Sequence, residues 1–252
     1  GAFGSDELIL ERAVIRPRHV EVQVMADRHG TTLHFGERDC SVQRRHQKVV
    51  EEAPCPVLDE ETREKMGAAA ILAAQSINYH GAGTVEFLLD ASEKFYFLEM
   101  NTRIQVEHPV TELVTGVDLV AMQIKVAAGE PLGLSQADVV MNGHAIEVRV
   151  YAEDPANDFL PQTGRVSLLH LPQGTGLRID HGLTEGGDVT PFYDPMLAKV
   201  IAHGRTREEA RRRLVRALSD VSILGVTTNR DFLSAILTNP VFIAGDVTTD
   251  FL

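Results

Sequence analysis

An α+β fold, with helices flanking a mixed or antiparallel sheet, is predicted by three patterns in the 252 residues. Two apolar runs, Val85 to Leu89 and Phe95 to Met100, are separated by the polar Asp90-Ala91-Ser92-Glu93-Lys94, and short hydrophobic runs joined by a polar turn read as a β-hairpin. Val20, Val22, Val24 and Ala26 alternate with Glu21, Gln23 and Met25, and Ile146, Val148 and Val150 alternate with Glu147, Arg149 and Tyr151, the period of a strand. Capped helical stretches lie between and after these strands.

Taken in order, Glu7 to Glu11 reads as a short strand leaving a polar loop, and Pro17-Arg18-His19 leads into the first alternating strand. Asp27 to Gly30 supplies a turn and Thr31 to Phe35 returns as a second strand. Glu37 to Pro54 carries a basic stretch; if extended throughout, Gln43, Arg45 and Gln47 face one way and Arg44, His46 and Lys48 the other. Asp59 to Tyr79 is a helix whose acidic first turn suits its positive end, broken by Gly81 and Gly83 before the hairpin. His108-Pro109 forces a turn, and Asp118 caps a helix through Ala128 that Gly129 and Pro131 terminate. After the strand of Gly143 to Ala152, Asp154 to Gly164 is a loop. Short strands (Arg165 to His170, Leu177 to His181, Met196 to His203) then suggest a small twisted sheet or partial barrel. Thr206-Arg207-Glu208-Glu209 is a capping box opening a helix to about Ser219. Arg211, Arg212 and Arg213 are read as its solvated or subunit-facing side, and a last helix spans Asn229 to Leu237 before Pro240 and a polar tail.

Composition narrows the function. Lys and Arg number 24 against 36 Asp and Glu, a net charge of −12, which argues against general nucleic-acid or anionic-membrane binding. Cys40 and Cys55 have no metal-type spacing and no disulfide framework around them, so a reducing cytoplasm or mitochondrial matrix is expected. No apolar run approaches the ~20 residues of a membrane span.

The hairpin carries the chemistry. With Ala91 to Lys94 as the loop, Asp90 pairs with Phe95, Leu88 with Phe97, and Glu86 with Glu99. Two carboxylates held at cross-strand distance repel, and a hard divalent cation such as Mg²⁺ or Mn²⁺ relieves that repulsion, with Asn101 on the same strand face as a third oxygen ligand. The polar series continues at Arg103, Gln105 and Glu107, giving a guanidinium for an oxyanion and a further carboxylate. The basic residues from Gln43 to Lys48 concentrate positive charge in an acidic chain and suit phosphate or bicarbonate, or else pair with Glu51 and Glu52 on a surface strand. Arg149 beside Glu147 reads by itself as an exposed cross-strand salt bridge.

The segments EMNTRIQVEHPVTE and ERDCSVQRRHQKVVEEAP are similar to those of the biotin carboxylase family of ATP-grasp ligases, and the likeness runs from Glu11 to the end of the chain. It implies the end of an ATP-grasp lid over residues 1–13, the C-terminal half of an ATP-grasp unit over 14–130, and a biotin carboxylase C-terminal subdomain over 131–252 packed with it as one unit. It implies ATP-dependent carboxylation of biotin by bicarbonate through carboxyphosphate, as the biotin carboxylase component of an acyl-CoA carboxylase. In that reading Glu11 meets the adenine amine, the backbone near Val14 completes base recognition, and His19, Gln43 and His46 contact the nucleotide. Leu88, on the face of the metal carboxylates, packs on the adenine. Lys48 serves bicarbonate or carboxyphosphate, Arg103 and the backbone near Gln105 and Val106 hold bicarbonate, Glu107 is the general base, and Arg149 stabilises charge on the biotin ureido oxygen.

The resemblance further implies a biotin carboxyl carrier domain or chain, a carboxyltransferase subunit and a homodimer as partners. Family members have an N-terminal α/β domain and a lid with a glycine-rich loop and ATP-binding lysines, which this sequence does not contain. A C-terminal part, inactive alone, is therefore expected. Two competing readings are an ATP-grasp ligase of the carbamoyl-phosphate type, disfavoured by RIQVEHPVTE, and a dimerisation scaffold with idle site residues.

Overall fold

The structure is a computed structural model that describes residue 8 and residues 10–252. In chain order its elements are β1 (Arg18–Ala26), β2 (Thr32–Arg44), β3 (Gln47–Ala53), α1 (Glu60–Ser76), β4 (Gly81–Leu89), β5 (Phe95–Asn101), α2 (His108–Thr115), α3 (Leu119–Ala127), β6 (His144–Tyr151), β7 (Glu153–Asp154), β8 (Leu160–Pro161), β9 (Gly164–Arg165), β10 (Leu168–His170), β11 (Leu177–His181), β12 (Asp188–Val189), β13 (Met196–Gly204), α4 (Arg207–Asp220), β14 (Ser222–Leu224), α5 (Arg230–Thr238) and α6 (Pro240–Ala244). The strand expected over Glu7 to Glu11 falls partly outside the described residues; Leu8, Leu10 and Glu11 belong to no strand.

An eight-stranded sheet, ordered β11-β13-β6-β3-β2-β1-β4-β5, organises the molecule, and every neighbouring pair in it is antiparallel. The strands Leu177 to His181 and Met196 to His203 thus extend this sheet through β6 instead of forming a separate small sheet or barrel. Alternation identifies a strand but not the sheet it joins.

Each face of the sheet is defined by strand parity. On one face Val20, Val22, Val24, Val85 and Phe87 pack against Met66, Ala70 and Ala74 of α1, and Ile146, Val148, Val150 and Val200 pack against Leu214, Leu218, Leu233 and Leu237 of α4 and α5. On the other face α2 meets the sheet through Val110 and Val114, against Ala53, Ala145 and Ile201. Leu119 and Val126 of α3 meet Met25, Leu33 and Ala82. Between these apolar contacts the second face is polar yet buried: Glu21, Gln23, Arg38, Glu51 and Glu147 are all fully enclosed. Strand β1 therefore has no solvated side, and β6, expected to have one, is likewise buried along its whole length.

Other differences have local causes. Glu37 to Pro54 is not one extended strand: the chain reverses at Arg45 (φ 50°) and His46 (φ 66°), a two-residue hairpin loop with both φ positive. Its usual Asn-Gly signal is missing, so nothing in the sequence marks it. Gly81 and Gly83 lie inside β4, and α1 stops earlier, at Ser76. His108-Pro109 opens α2 rather than a simple turn, because proline in a first helical turn forfeits no hydrogen bond. Pro240 likewise starts α6. The Thr206 hydroxyl accepts from the Glu209 N–H, but the Glu209 carboxylate takes the Arg205 N–H, so the capping box is half formed. Arg211 is buried against Glu208 and the Leu237 carbonyl, not solvated.

Candidate active site

Strands β4 and β5 bring Glu86 opposite Glu99, but by a different route from the expected register. Beside the turn the pairing is offset by one residue from the expected one, so Leu89 faces Phe95, Leu88 faces Tyr96 and Phe87 faces Phe97. A bulge beside Glu86 absorbs Leu98 as an extra residue and restores the Glu86–Glu99 pairing. The Asn101 amide Nδ2 donates to Glu86 Oε1 (3.0 Å) and Glu99 Oε1 (3.1 Å), so both carboxylates converge on one point. The donor set suits a hard divalent cation: two carboxylates and an amide whose half-turn presents oxygen in place of nitrogen. Arg103 is exposed, and its guanidinium reaches Asn101 Oδ1 at 3.4 Å.

Lys48, brought by the left-handed turn onto the same side as Gln43, its cross-strand partner, lies among three carboxylates. Its Nζ is 2.5 Å from Glu21 Oε2, 2.6 Å from Glu107 Oε1 and 3.2 Å from Glu86 Oε1. Burial alone would lower the Lys48 pKa, but the surrounding anionic groups raise it. Burial would lift Glu86, yet the His19 hydrogen bond at 2.8 Å, the Lys48 charge and the Gln105 amide pull it down to about 2. Arg38, fully buried, donates to Glu21, Gln23, Thr84, Gln105 and Thr111, and its charge with that of Lys48 outweighs burial to lower Glu21. Gln105 is thereby fixed at both ends, accepting from Arg38 and donating to Glu86.

Glu107 is buried and held from two sides. Its Oε1 accepts from Lys48 and its Oε2 from Arg149 Nη2 at 3.0 Å. Arg149 also donates through Nε to Glu51 Oε1 at 2.6 Å, so it is a buried, doubly paired guanidinium and not an exposed salt bridge with Glu147. The Val106 carbonyl accepts from Lys199 Nζ at 2.8 Å. Lys48, Glu86, Asn101, Gln105, Val106, Glu107 and Arg149 line one cleft of about 370 Å³ together with Glu99, Arg103, Tyr151 and Asp194, while Glu21, Arg38, Glu51 and Lys199 lie behind its wall.

An adjoining cavity of about 570 Å³ is lined by Val14, His19, Gln43, His46, Leu88 and Leu98, among others. Leu88 and Leu98 give it an apolar wall beside the carboxylates. Glu11 is exposed and lines neither space.

Sequence reasoning passed over Glu21, Arg38 and Leu98, and read Glu51 and Glu147 only as partners in surface ion pairs, whereas both are fully buried. Glu21 shares the parity of His19, a signal available in the alternation of β1. Leu98 was hidden because a bulge changes parity without any marker in the sequence.

Comparison with known proteins gives two family matches. Residues 1–135 match the model described as carbamoyl-phosphate synthase L chain, ATP binding domain, and residues 147–252 match that described as biotin carboxylase C-terminal domain. The chain is similar to a biotin carboxylase of Halalkalibacterium halodurans, 54% identical over 99% of this chain and 55% of the relative. It is also similar to the mitochondrial propionyl-CoA carboxylase alpha chain of Sus scrofa, 52% identical over 100% of this chain and 35% of the relative. Among solved structures, the biotin carboxylase domain dimer of Hydrogenobacter thermophilus 2-oxoglutarate carboxylase, in complex with MgADP, ADP and bicarbonate, superposes with a TM-score of 0.94 at 46% identity. That match covers 96% of this chain and 53% of the other. The chain thus spans about half the length of the biotin carboxylase it matches.

Proposed function

We propose a function from one premise: the chain belongs to the biotin carboxylase family of ATP-grasp ligases. Its two clefts form one wall of a site for ATP-dependent carboxylation of biotin by bicarbonate through carboxyphosphate. The observation that carries this reading is the sequence of groups across the sheet: an oxygen donor set at Glu86, Glu99 and Asn101, then Lys48, then Glu107 against Arg149.

When bound there, Mg²⁺ or Mn²⁺ supplies neutralising charge for the transferring phosphates, held by Glu86, Glu99 and the turned amide of Asn101. The adenine lies against Leu88 and Leu98, with Val14, His19, Gln43 and His46 around the nucleotide. Arg103, at the mouth of the cleft, offers a free face of its guanidinium to bicarbonate, and the backbone near Gln105 and Val106 completes that site. Glu107 takes the bicarbonate proton. Each of its oxygens is oriented by one cation, which fixes the carboxylate while leaving lone pairs toward the cleft. Lys48 neutralises charge on the carboxyphosphate, and Arg149 does so on the ureido oxygen of biotin.

Biotin arrives on a carrier domain or chain, a carboxyltransferase consumes the product, and the protein pairs as a homodimer like the domain it superposes on. The buried free thiols of Cys40 and Cys55 support a reducing compartment, cytoplasm or mitochondrial matrix. Among the described residues no helix is long and apolar enough to cross a membrane. The match of residues 147–252 favours biotin over a carbamoyl-phosphate-forming reaction.

The test is Glu107→Gln in the full polypeptide. Biotin-dependent phosphate release from MgATP falls by about 10²- to 10⁴-fold, the usual share of a general base, while MgADP affinity measured by calorimetry is unchanged. Persisting carboxylation, or a parallel loss of nucleotide affinity, refutes the role.

A further inference from the structure

Beneath the Glu107–Arg149 pair lies a second acidic pair that the proposed chemistry does not use. Glu51 of β3 and Glu147 of β6 are direct cross-strand partners, and both are 0% exposed. Opposed side chains of this kind have Cβ atoms roughly 4.5 to 5.5 Å apart, so two full negative charges there would repel strongly without water to screen them. Glu51 Oε1 is engaged by Arg149, but among the described residues no donor reaches Glu51 Oε2 or either oxygen of Glu147. Three buried acceptors without a donor are costly as carboxylates; one proton shared across the pair joins two of them and leaves the third as the neutral carbonyl oxygen of a protonated acid.

Among the described residues the nearby cations, Lys199 and Arg149 foremost, act on Glu147 only through their charge and give their hydrogen bonds to other partners. On β6 itself Arg149 is committed to Glu51 and Glu107. On β13 the residue opposite Glu147 is Ile201, while Lys199 is bound to the Val106 carbonyl and Asp180 of β11. On β3 Lys48 is surrounded by Glu21, Glu86 and Glu107, and on β2 Arg38 is spent on Glu21 and its amide and hydroxyl neighbours, beside the buried Cys40 thiol. From α2, which covers this face, Val110 and Val114 pack against Ala53, Ala145 and Ile201 and Thr111 accepts from Arg38; its His108 bonds the Gln105 carbonyl and its Glu112 pairs with Arg178. Tyr151 remains beside Arg149.

We propose that Glu147 holds a proton near neutral pH and donates it to Glu51 Oε2, so that the pair carries one negative charge and Glu51 keeps its other oxygen on Arg149. Glu147 is then a positioning residue, acting on the cleft only through Glu51 and the aim of the Arg149 guanidinium. Burial, and then the neighbouring Glu51 charge, push the Glu147 carboxyl well above its ordinary value, in keeping with this arrangement. The two acids titrate as a unit. Where the proton sits follows from the sheet alone; its consequence for catalysis rests on the role given to Arg149 above.

The test needs no ligand. Infrared spectra of the wild-type protein near neutral pH show the carbonyl stretch of one protonated carboxyl per chain, and Glu147→Gln removes it. In the folded protein the proton is retained at pH values where the unfolded chain has released it. Wild-type stability therefore declines as pH rises from the ordinary carboxylate value to the raised one. Glu147→Gln, a neutral imitation of the acid, lacks that decline and is no less stable near neutral pH, whereas Glu147→Ala unfolds at lower temperature. Absence of the carboxyl band in the wild type, or its persistence in Glu147→Gln, overturns the assignment. In the full polypeptide Glu147→Gln moves the alkaline limb of the kcat/KM profile upward with kcat near neutral pH unchanged; an unmoved limb overturns the positioning role. A chain that never carboxylated biotin would leave the infrared and unfolding results intact, so the two readings fail separately.

Discussion

Replacing Lys48 by Met keeps the bulk of the side chain and removes its ammonium from among Glu21, Glu86 and Glu107. Deleting one member of a buried ion pair costs about 3–5 kcal/mol, because the partner stays buried without its counter-charge. Three carboxylates lose a contact here, at 2.5, 3.2 and 2.6 Å. Each retains another donor, however: Arg38 on Glu21, His19 on Glu86 and Arg149 on Glu107. The loss therefore belongs in the range for one pair, not a multiple of it. For a chain of this size that lowers Tm by about 6–20 °C. Without the ammonium the carboxylates take up protons more readily, so the deficit shrinks on acidification. Calorimetric unfolding of wild type and Lys48→Met at about pH 7 and about pH 5 measures both effects, and adding Glu107→Gln to the variant restores part of the loss. A deficit below about 1 kcal/mol, the value of an exposed pair, would refute this reasoning. So would a deficit that grows as the pH falls.

Three more outcomes follow from the same geometry. Glu86, depressed from 4.5 to about 2, contributes about 3 kcal/mol that is complete above the ordinary carboxylate value and is lost as pH falls through about 2; denaturant unfolding of wild type and Glu86→Gln from neutral to acid pH should show their difference closing over that window, and a constant difference contradicts it. Glu99→Gln weakens Mn²⁺ binding in the presence of ADP by more than about tenfold, the loss already seen on changing an outer-sphere partner, as read by paramagnetic resonance; unchanged affinity removes Glu99 from the donor set. Leu98→Ala, truncating a half-exposed side chain on the wall of the cavity proposed for the nucleotide, lowers ADP affinity by about 5- to 30-fold, equivalent to about 1–2 kcal/mol of lost burial; calorimetry showing no change places the adenine elsewhere.

The features legible in the sequence are those that obey a fixed period. Glu86, Glu99 and Asn101 could be found because strand parity survives at both ends of the hairpin, even though the pairing between them is shifted by Leu98. The Arg45–His46 reversal was not legible, since neither residue is a glycine or asparagine and the run of polar side chains resembles any solvated strand. With that turn unseen, Gln43 and Lys48 read as facing opposite ways, although they are cross-strand partners. Buried charge was the largest blind spot. Arg38, Glu51 and Glu147 have the composition of a surface, and only the arrival of α2 and of strands distant in the sequence encloses them. The helix α2 itself was masked by His108-Pro109, where proline marks a beginning as easily as an interruption.

The contact of β3 with β6 stitches together two stretches of chain that separate family models match. Along that seam Glu51 comes from the earlier stretch, and Arg149 and Glu147 from the later one. Any chimera joined near residue 140 would inherit its anion from one parent and its guanidinium from the other. Compatible parents are therefore those agreeing at these three positions, whatever their likeness elsewhere.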